Sequence, residues 1–293
     1  MSKLSYLLTL TPRETWRIAR HKLPILRSGA SWTPGELMSS SKHTRGIRFA
    51  ELLMRQEAVV TRCTTWRTLD FADKHVVEVG CGPLAGYGPL AIFNGARSFS
   101  SAEPEWDPSL MFSATVIDKY LRILHADLVA LYGPRMDFDT FLTALGERMA
   151  IARTGFEKAD ITEPADIVLS QSVLEHIFPL EDTIKKLADI QTPQTQFLHL
   201  VDFGNHYPTS NPFEGLYEQP AEAYIARRGK AINCLRMSDI AALFDQHEIA
   251  ATAVPSRYVE SSYTGTISQW WRQKYENADL FTQLCLIAGN GTD

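Results

Sequence analysis

The chain has 293 residues, 45% of them hydrophobic, and a formal net charge of −5. This length and composition allow one well-packed core in one domain or about two. The mildly acidic balance argues against a polyanion such as nucleic acid as the main substrate.

The cysteines and the hydropathy pattern exclude further classes. Cys63, Cys81, Cys234 and Cys285 show no paired CxxC spacing, so neither a zinc knot nor a disulfide framework is indicated. No apolar segment approaches the roughly 20 residues that a bilayer-spanning helix needs, and no signal peptide is recognised. A cytoplasmic protein is therefore expected.

The N-terminal segment is basic although the whole chain is acidic. Residues 1–27 carry six Lys and Arg residues against the single acid Glu14, and several leucines would give a helix here an apolar side. Such a segment could touch an anionic membrane surface. The preferred alternative is that residues 1–69 form an N-terminal helical cap over the active site, or make a contact within a homodimer.

A glycine-containing turn follows the first strand-like run. The sequence from Val76 to Pro83 is VVEVGCGP, in which β-branched apolar residues indicate a buried parallel strand. Gly80 and Gly82 would let the backbone pass close to a ligand, and a helix beginning near Gly88 would aim its N-terminal amides at that ligand. The pattern predicts a nucleotide-binding turn; a glycine turn that serves only packing is the alternative.

Two later runs extend the pattern. Residues 95–104 predict a second strand that ends at Glu103, where a mononucleotide-binding half-fold has its ribose-binding acid; a solvated loop acid is the alternative. Residues 166–170 predict another buried strand, followed by the sequence QSVLEHI at 171–177. A helix beginning at 179–182 and a strand over 197–203 come next.

These motifs resemble those of class I S-adenosylmethionine-dependent methyltransferases. The matching residues are 78–83, Glu103 and 166–177. Two later stretches, 199–206 and 233–239, are more loosely similar to methyltransferases found with bacterial surface-polysaccharide biosynthesis. The resemblance implies an α/β fold: a Rossmann-like seven-stranded methyltransferase sheet, mostly parallel with an antiparallel last strand, with helices on both faces and helical insertions.

The sequence departs from the family pattern at two turns. Leu84 replaces the third glycine of the family's first turn, and Gly86 follows late, which leaves the path of the loop open. The Pro-Gly-Gly that usually precedes strand five is replaced by residues 192–194, which changes a surface turn.

The resemblance also implies how S-adenosylmethionine would bind. Gly80 and Gly82 would lie against its amino-acid portion and ribose, and Glu103 would accept hydrogen bonds from the ribose hydroxyls. Glu78 would fix the loop or meet the methionine amine. Further expected contacts are Asp160 near the adenine, with Glu157 as the alternative, and Ser170 and Gln171 beyond strand four.

The candidate catalytic residues follow strands four and five. His176, Asp202 and His206 would meet at the carboxyl ends of the sheet, with one histidine as the base and Asp202 orienting it. A purely structural role for either histidine is the alternative. A divalent metal held by Glu175, Asp202 and the histidines is a further alternative, but their spacing matches no recognised metal signature, so no metal is predicted.

The expected organisation is a methyltransferase domain over residues 70–293, with a helical insertion at 107–149 and an acceptor-side insertion at 207–237. Ser238 is expected to cap the helix that follows, and two closing strands are expected at 250–257 and 281–288.

The resemblance implies O-methylation of a hydroxyl on a sugar, a glycan intermediate or another small polar metabolite. One alternative is a nicotinamide-dependent oxidoreductase built on the same half-fold. The other is a non-catalytic binding protein that retains the fold.

Overall fold

The computed structural model describes residues 33–39, 47–206, 209 and 211–290. The basic segment within residues 1–27, and with it the predicted membrane or dimer contact, lies outside these residues. Within them, every helix is too short or too polar to cross a membrane.

Seven strands form one sheet in the order β3-β2-β1-β4-β5-β7-β6. The strands are β1 (His75–Val79), β2 (Ser98–Ala102), β3 (Met149–Ala152), β4 (Ile167–Gln171), β5 (Gln196–Asp202), β6 (Thr252–Tyr258) and β7 (Thr282–Gly289). The first five pair in parallel, while β7 runs antiparallel to both β5 and β6. This order confirms the predicted methyltransferase sheet. The strand order reverses at the β1–β4 neighbours, and ligands of open α/β sheets bind at the carboxyl ends of strands at such a point.

Helices connect the strands and fill the insertions. Their bounds are α1 (Pro34–Ser39), α2 (Arg48–Cys63), α3 (Gly88–Phe93), α4 (Pro108–Met111), α5 (Ala114–Val116), α6 (Arg122–Tyr132), α7 (Phe138–Arg148), α8 (Leu180–Ile190), α9 (Ala221–Arg228), α10 (Met237–Gln246), α11 (Gln269–Lys274) and α12 (Asn277–Phe281). A π-helical turn, Ile117–Leu121, joins α5 to α6, and the short 3₁₀ helices are Phe156–Lys158, Leu174–His176 and Glu260–Ser262.

The two faces of the sheet have separate apolar cores, because successive strand residues point to opposite sides. Val76 and Leu198 belong to the core covered by α2, α3, α6 and α7. Val77 and Val201 belong to the core covered by α8, α10 and α11. Helices therefore cover both faces, as predicted, and leave the carboxyl ends of the strands as the place where loops can form a site.

One predicted cap is wrong. Ser238 lies inside α10, and its backbone N–H donates to the Asp279 carboxylate at 2.8 Å. The helix begins one residue earlier, after Arg236, whose N–H donates to the carboxylate of Asp239 at 2.8 Å. The carboxylate of Asp239, three residues after Arg236, therefore holds the start of the helix.

A histidine is enclosed in the middle of the sheet. The side chain of His199 on β5 is fully buried, and its Nδ1 lies 2.8 Å from the hydroxyl oxygen of Ser170 on β4. Its Nε2 has no partner among the described residues. Burial lowers the pKa of His199 from 6.5 to about 3, so the folded protein holds this ring in its neutral form.

His199 should make the protein less stable in acid. The unfolded chain takes up a proton as the pH falls through 6.5, while the folded chain takes it up only near 3. Stability is therefore lost as the pH falls from about 6.5 towards 3, by at most roughly 1.4 kcal/mol per pH unit for this group. In urea unfolding between pH 4 and pH 7, His199→Phe should flatten this dependence.

Ser170→Ala is the matched variant, because it removes the hydrogen bond and keeps the titrating ring. It should lower the free energy of unfolding by about 1 kcal/mol at every pH, and the dependence of that free energy on pH should stay the same as in the wild type. If the free energy of unfolding changed equally with pH in wild type and in His199→Phe, the assignment of this pH dependence to His199 would be contradicted.

Candidate active site

The turn after β1 has the backbone conformation that its glycines allow. Gly80 and Gly82 have φ of +69° and +67°, in the left-handed region that disfavours other residues. A Cβ on Gly80 would lie 2.7 Å from Cγ1 of Val173, which comes from the loop after β4, whereas a Cβ on Gly82 would meet nothing within 4 Å. Gly80 thus allows the loops after β1 and β4 to pack closely, and Gly82 leaves open space above the turn.

Glu78 on β1 fixes the rest of this loop. Its side chain is buried, and the backbone N–H of Tyr87 donates to Oε2 at 2.7 Å. Burial raises the pKa of Glu78 well above its usual value, and the nearby Glu103 adds to the effect. Gly86 has a φ of +45°, and a Cβ there would overlap both carboxylate oxygens of Glu78. The late glycine therefore serves the loop by making room for this carboxylate.

Glu103 brings a second carboxylate to the turn. It follows β2, and its Oε2 accepts a hydrogen bond from the backbone N–H of Gly82 at 2.9 Å. Its Oε1 accepts another from the N–H of Glu105 at 3.0 Å. The acid predicted to bind a ribose is thus held against the glycine turn, because the carboxyl ends of neighbouring parallel strands meet there.

These residues surround a cavity of about 240 Å³ at the carboxyl ends of β1, β2 and β4. Five predicted cofactor residues line it: Glu78, Gly80, Gly82, Glu103 and Gln171. The Oε1 of Gln171 accepts hydrogen bonds from Gln56 Nε2 at 2.6 Å and from the Tyr87 hydroxyl at 3.1 Å. This buried network joins α2 to the end of β4.

The other two predicted cofactor residues lie elsewhere. The hydroxyl of Ser170 is occupied by His199 inside the sheet, away from the residues that line the cavity. Asp160 is exposed, just beyond the 3₁₀ helix Phe156–Lys158, and is also not among the lining residues. Their roles as cofactor contacts stay predictions.

Sequence reasoning missed part of the cavity wall. Arg48 and Phe49 come from the first turn of α2, and Tyr120 comes from the π-helical turn within the insertion. Arg48 is the one cation among the described residues that line the cavity, which also include the carboxylates of Glu78 and Glu103. No local sequence signal indicates the π-helical turn, and such turns are frequent at functional sites.

A second polar cluster follows β4 and β5. His176 lies at the end of a 3₁₀ helix and His206 in the loop after β5, with their ring centroids 4.6 Å apart in an edge-to-face arrangement. Nε2 of His206 lies 3.7 Å from Oε1 of Glu175 and 3.0 Å from the carbonyl oxygen of Asp202. The structure therefore brings the three predicted catalytic residues together, with Glu175 as a fourth member of the cluster.

Contacts with backbone carbonyl groups fix the tautomer of His176 and the orientation of His206. Nδ1 of His176 lies 2.5 Å from the carbonyl oxygen of Ala231, so Nδ1 carries the proton and Nε2 keeps its lone pair. Partial burial lowers the pKa of His176, and His206 adds to the shift. The carboxylate of Asp202 accepts from the N–H of Gly204, so Asp202 holds His206 through its main-chain carbonyl and not through its side chain.

Glu175 is the buried member of the cluster. Its side chain is 2% exposed, and its Oε1 accepts from the N–H of Asp202 at 3.3 Å. Burial raises the pKa of Glu175 to about 8, and the nearby Asp202 carboxylate contributes. Its Oε2 has no partner among the described residues. A buried carboxylate with one open oxygen therefore lies beneath the two imidazoles.

Comparisons with known proteins give only distant similarity. No protein-family model and no curated protein matches the sequence. Among solved structures, the chain is similar to an S-adenosylmethionine-dependent methyltransferase from Mesorhizobium loti, at 11% identity over 82% of this chain and 96% of that one, with a TM-score of 0.46.

Two further similar structures are an N-methyltransferase and an O-methyltransferase. The N-methyltransferase NodS from Bradyrhizobium japonicum is 12% identical over 84% of this chain and 95% of that one, with a TM-score of 0.39. The mitomycin 7-O-methyltransferase MmcR is 12% identical over 96% of this chain and 69% of that one, with a TM-score of 0.38. Each name describes that protein alone.

Gly82 and Gly86, two of the three glycines with positive φ in this loop, should differ in their tolerance of alanine. Gly82→Ala adds a Cβ in open space. It should therefore lower the free energy of unfolding only by about 1 kcal/mol, the cost of a left-handed backbone for a residue that has a Cβ. Gly86→Ala has the same backbone cost, and its Cβ also overlaps the Glu78 carboxylate. It should therefore lower the free energy of unfolding by about 3 kcal/mol. Urea unfolding of the two variants measures the difference; equal costs would show that the contact of Gly86 with Glu78 has no energetic weight.

Proposed function

We propose that this protein is a class I methyltransferase that uses S-adenosylmethionine. The observation that carries the proposal is the contact of Glu103 with the backbone N–H of Gly82, beside the cavity at the reversal of strand order. Two carboxylates, a glycine turn and a cavity then stand at the end of the sheet where a parallel α/β fold binds nucleoside ligands.

The residues at this end fit the proposed cofactor. The open space above Gly82 is a cradle that a side chain would fill, and Glu103 can accept hydrogen bonds from ribose hydroxyls. Gly80 would contact the amino-acid portion. Glu78 is occupied with Tyr87, so we assign it the task of fixing the loop. Asp160 is retained as the adenine contact, and Gln171, the last residue of β4, as a contact in the cavity. Ser170 is retained as a predicted contact, although its hydroxyl is occupied by His199.

More particularly, we propose transfer to a hydroxyl oxygen. S-adenosylmethionine supplies an activated methyl group, whose carbon bonds to the acceptor oxygen as the carbon–sulfur bond breaks and the electron pair stays on sulfur. The hydroxyl proton must leave to a base, because a neutral hydroxyl is a poor nucleophile. His176 and His206, from the loops after β4 and β5, are our candidates for this base.

His176 is the first candidate for this base. Its Nδ1–H is held by the carbonyl oxygen of Ala231, so Nε2 can receive a proton, and its lowered pKa keeps the ring neutral near pH 7. His206, oriented by the carbonyl of Asp202, is the second candidate. The acceptor would be a sugar, a glycan intermediate or another small polar metabolite; the loose resemblance of residues 199–206 and 233–239 is the support for a polysaccharide context.

Loss of the Glu103 carboxylate should weaken cofactor binding. Glu103→Ala removes charge-assisted hydrogen bonds, each worth about 1.5–3 kcal/mol, so its affinity for S-adenosylhomocysteine should fall about 10- to 100-fold in calorimetry. Glu105→Ala is the matched control, because it removes a neighbouring acid that is not among the residues lining the cavity. No binding to the wild type, or equal binding by both variants, would contradict the proposal.

A titration with NADH, followed by fluorescence, separates the alternative chemistry. We expect no saturable signal, because residues 80–86 do not form the fuller GxGxxG turn of nicotinamide enzymes. Saturable NADH binding together with no response to S-adenosylhomocysteine would favour an oxidoreductase. Turnover of labelled cofactor with any acceptor would exclude a non-catalytic binding protein.

A further inference from the structure

We propose that Glu175, His176 and His206 bind one divalent transition-metal cation beside the cofactor cavity. Each of the three offers one ligand atom, and these atoms all lie within 4.8 Å of one another. Two imidazoles and one carboxylate form a donor set that suits Zn²⁺, Co²⁺, Mn²⁺ or Fe²⁺. The spacing of these residues matches no recognised metal signature, because Glu175 and His176 are adjacent and His206 comes from the loop after the next strand.

The carboxylate is the first observation that favours a cation. Glu175 is 2% exposed, yet its Oε2 has no hydrogen-bond partner among the described residues. A buried oxygen without a partner is costly, and a cation bound to it would remove that cost. The other oxygen is held by the N–H of Asp202, so the carboxylate is already oriented.

The imidazoles supply the second observation. Ligand histidines usually donate their other ring N–H to a carbonyl or carboxylate, which fixes the ring and its tautomer. His176 shows this arrangement, with Nδ1 on the carbonyl of Ala231 and the lone pair of Nε2 free of the proton. Nε2 of His206 lies between the Asp202 carbonyl at 3.0 Å and Glu175 Oε1 at 3.7 Å. A small rotation of this ring, whose side chain is 24% exposed, would exchange the carbonyl for a cation.

The position of the site suggests its role, and this step rests on the proposed methyl transfer. The cluster follows directly after Gln171 and Val173, which line the cavity. Because only three residues supply protein ligands, coordination positions stay open for an acceptor hydroxyl. A divalent cation lowers the pKa of a hydroxyl group whose oxygen it binds. With a cation in place the imidazoles would act as ligands, and the acceptor proton would leave more readily to solvent.

The test is a titration of the full chain, freed of any affinity tag and dialysed against a chelator, with Co²⁺. Calorimetry and the visible absorption of bound Co²⁺ should show one ion per chain. Glu175→Gln and His206→Asn should each weaken the binding about 100-fold, because each removes one of three ligands. The two variants cover each other if one of them fails to fold.

His247→Asn is the matched control. Nε2 of His247 lies 3.7 Å from Oε1 of Glu181, the same separation as in the His206–Glu175 pair, but no third ligand accompanies them among the described residues. This variant should bind Co²⁺ like the wild type. Absent Co²⁺ binding, or binding that Glu175→Gln and His206→Asn leave unchanged, would overturn the metal site.

Calorimetry with S-adenosylhomocysteine on the metal-free protein separates the two proposals. Binding of S-adenosylhomocysteine without Co²⁺ binding would overturn the metal site and leave the methyltransferase proposal standing. Co²⁺ binding without S-adenosylhomocysteine binding would contradict the methyltransferase proposal and leave the metal site standing, because the metal site is inferred from the geometry of its three ligands alone.

Discussion

A buried carboxylate holds the loop on which the candidate site depends. Glu78 lies in β1 with a side chain that is 1% exposed, and its carboxylate accepts a hydrogen bond from the N–H of Tyr87. This contact ties the end of the loop back to its beginning. The glycines are the counterpart of the same constraint, because Gly86 makes room for the carboxylate and Gly82 presents its N–H to Glu103.

The site has two parts with different chemistry. Over β1 and β2 the groups are carboxylates and backbone amides, which suit a neutral or cationic nucleoside ligand. Beyond β4 and β5 they are imidazoles above the buried Glu175, which suit a proton or a cation. Val173, in contact range of Gly80, stands where the two parts meet. The parallel strands bring these parts together, since their carboxyl ends share one edge.

Much of the fold and half of the site could be predicted from the sequence. Apolar β-branched runs, the glycine turn and Glu103 are local signals, and parallel pairing then places their ends side by side. The rest depends on long-range packing. Arg48 reaches the cavity from a helix before the sheet, and Tyr120 from a π-helical turn. The open oxygen of Glu175 depends on which groups pack around it, which no spacing of residues reveals.

The wall that α2 contributes has a consequence for the limits of the functional unit. The first strand begins at His75, so a shorter chain starting at residue 70 would retain every strand. It would nevertheless lack Arg48, Phe49 and the amide of Gln56, and the cavity would open to bulk water along that side. It would also lose Leu53 and Val60 from the core on one face of the sheet, so α2 contributes both to the packing of the sheet and to the wall of the cavity.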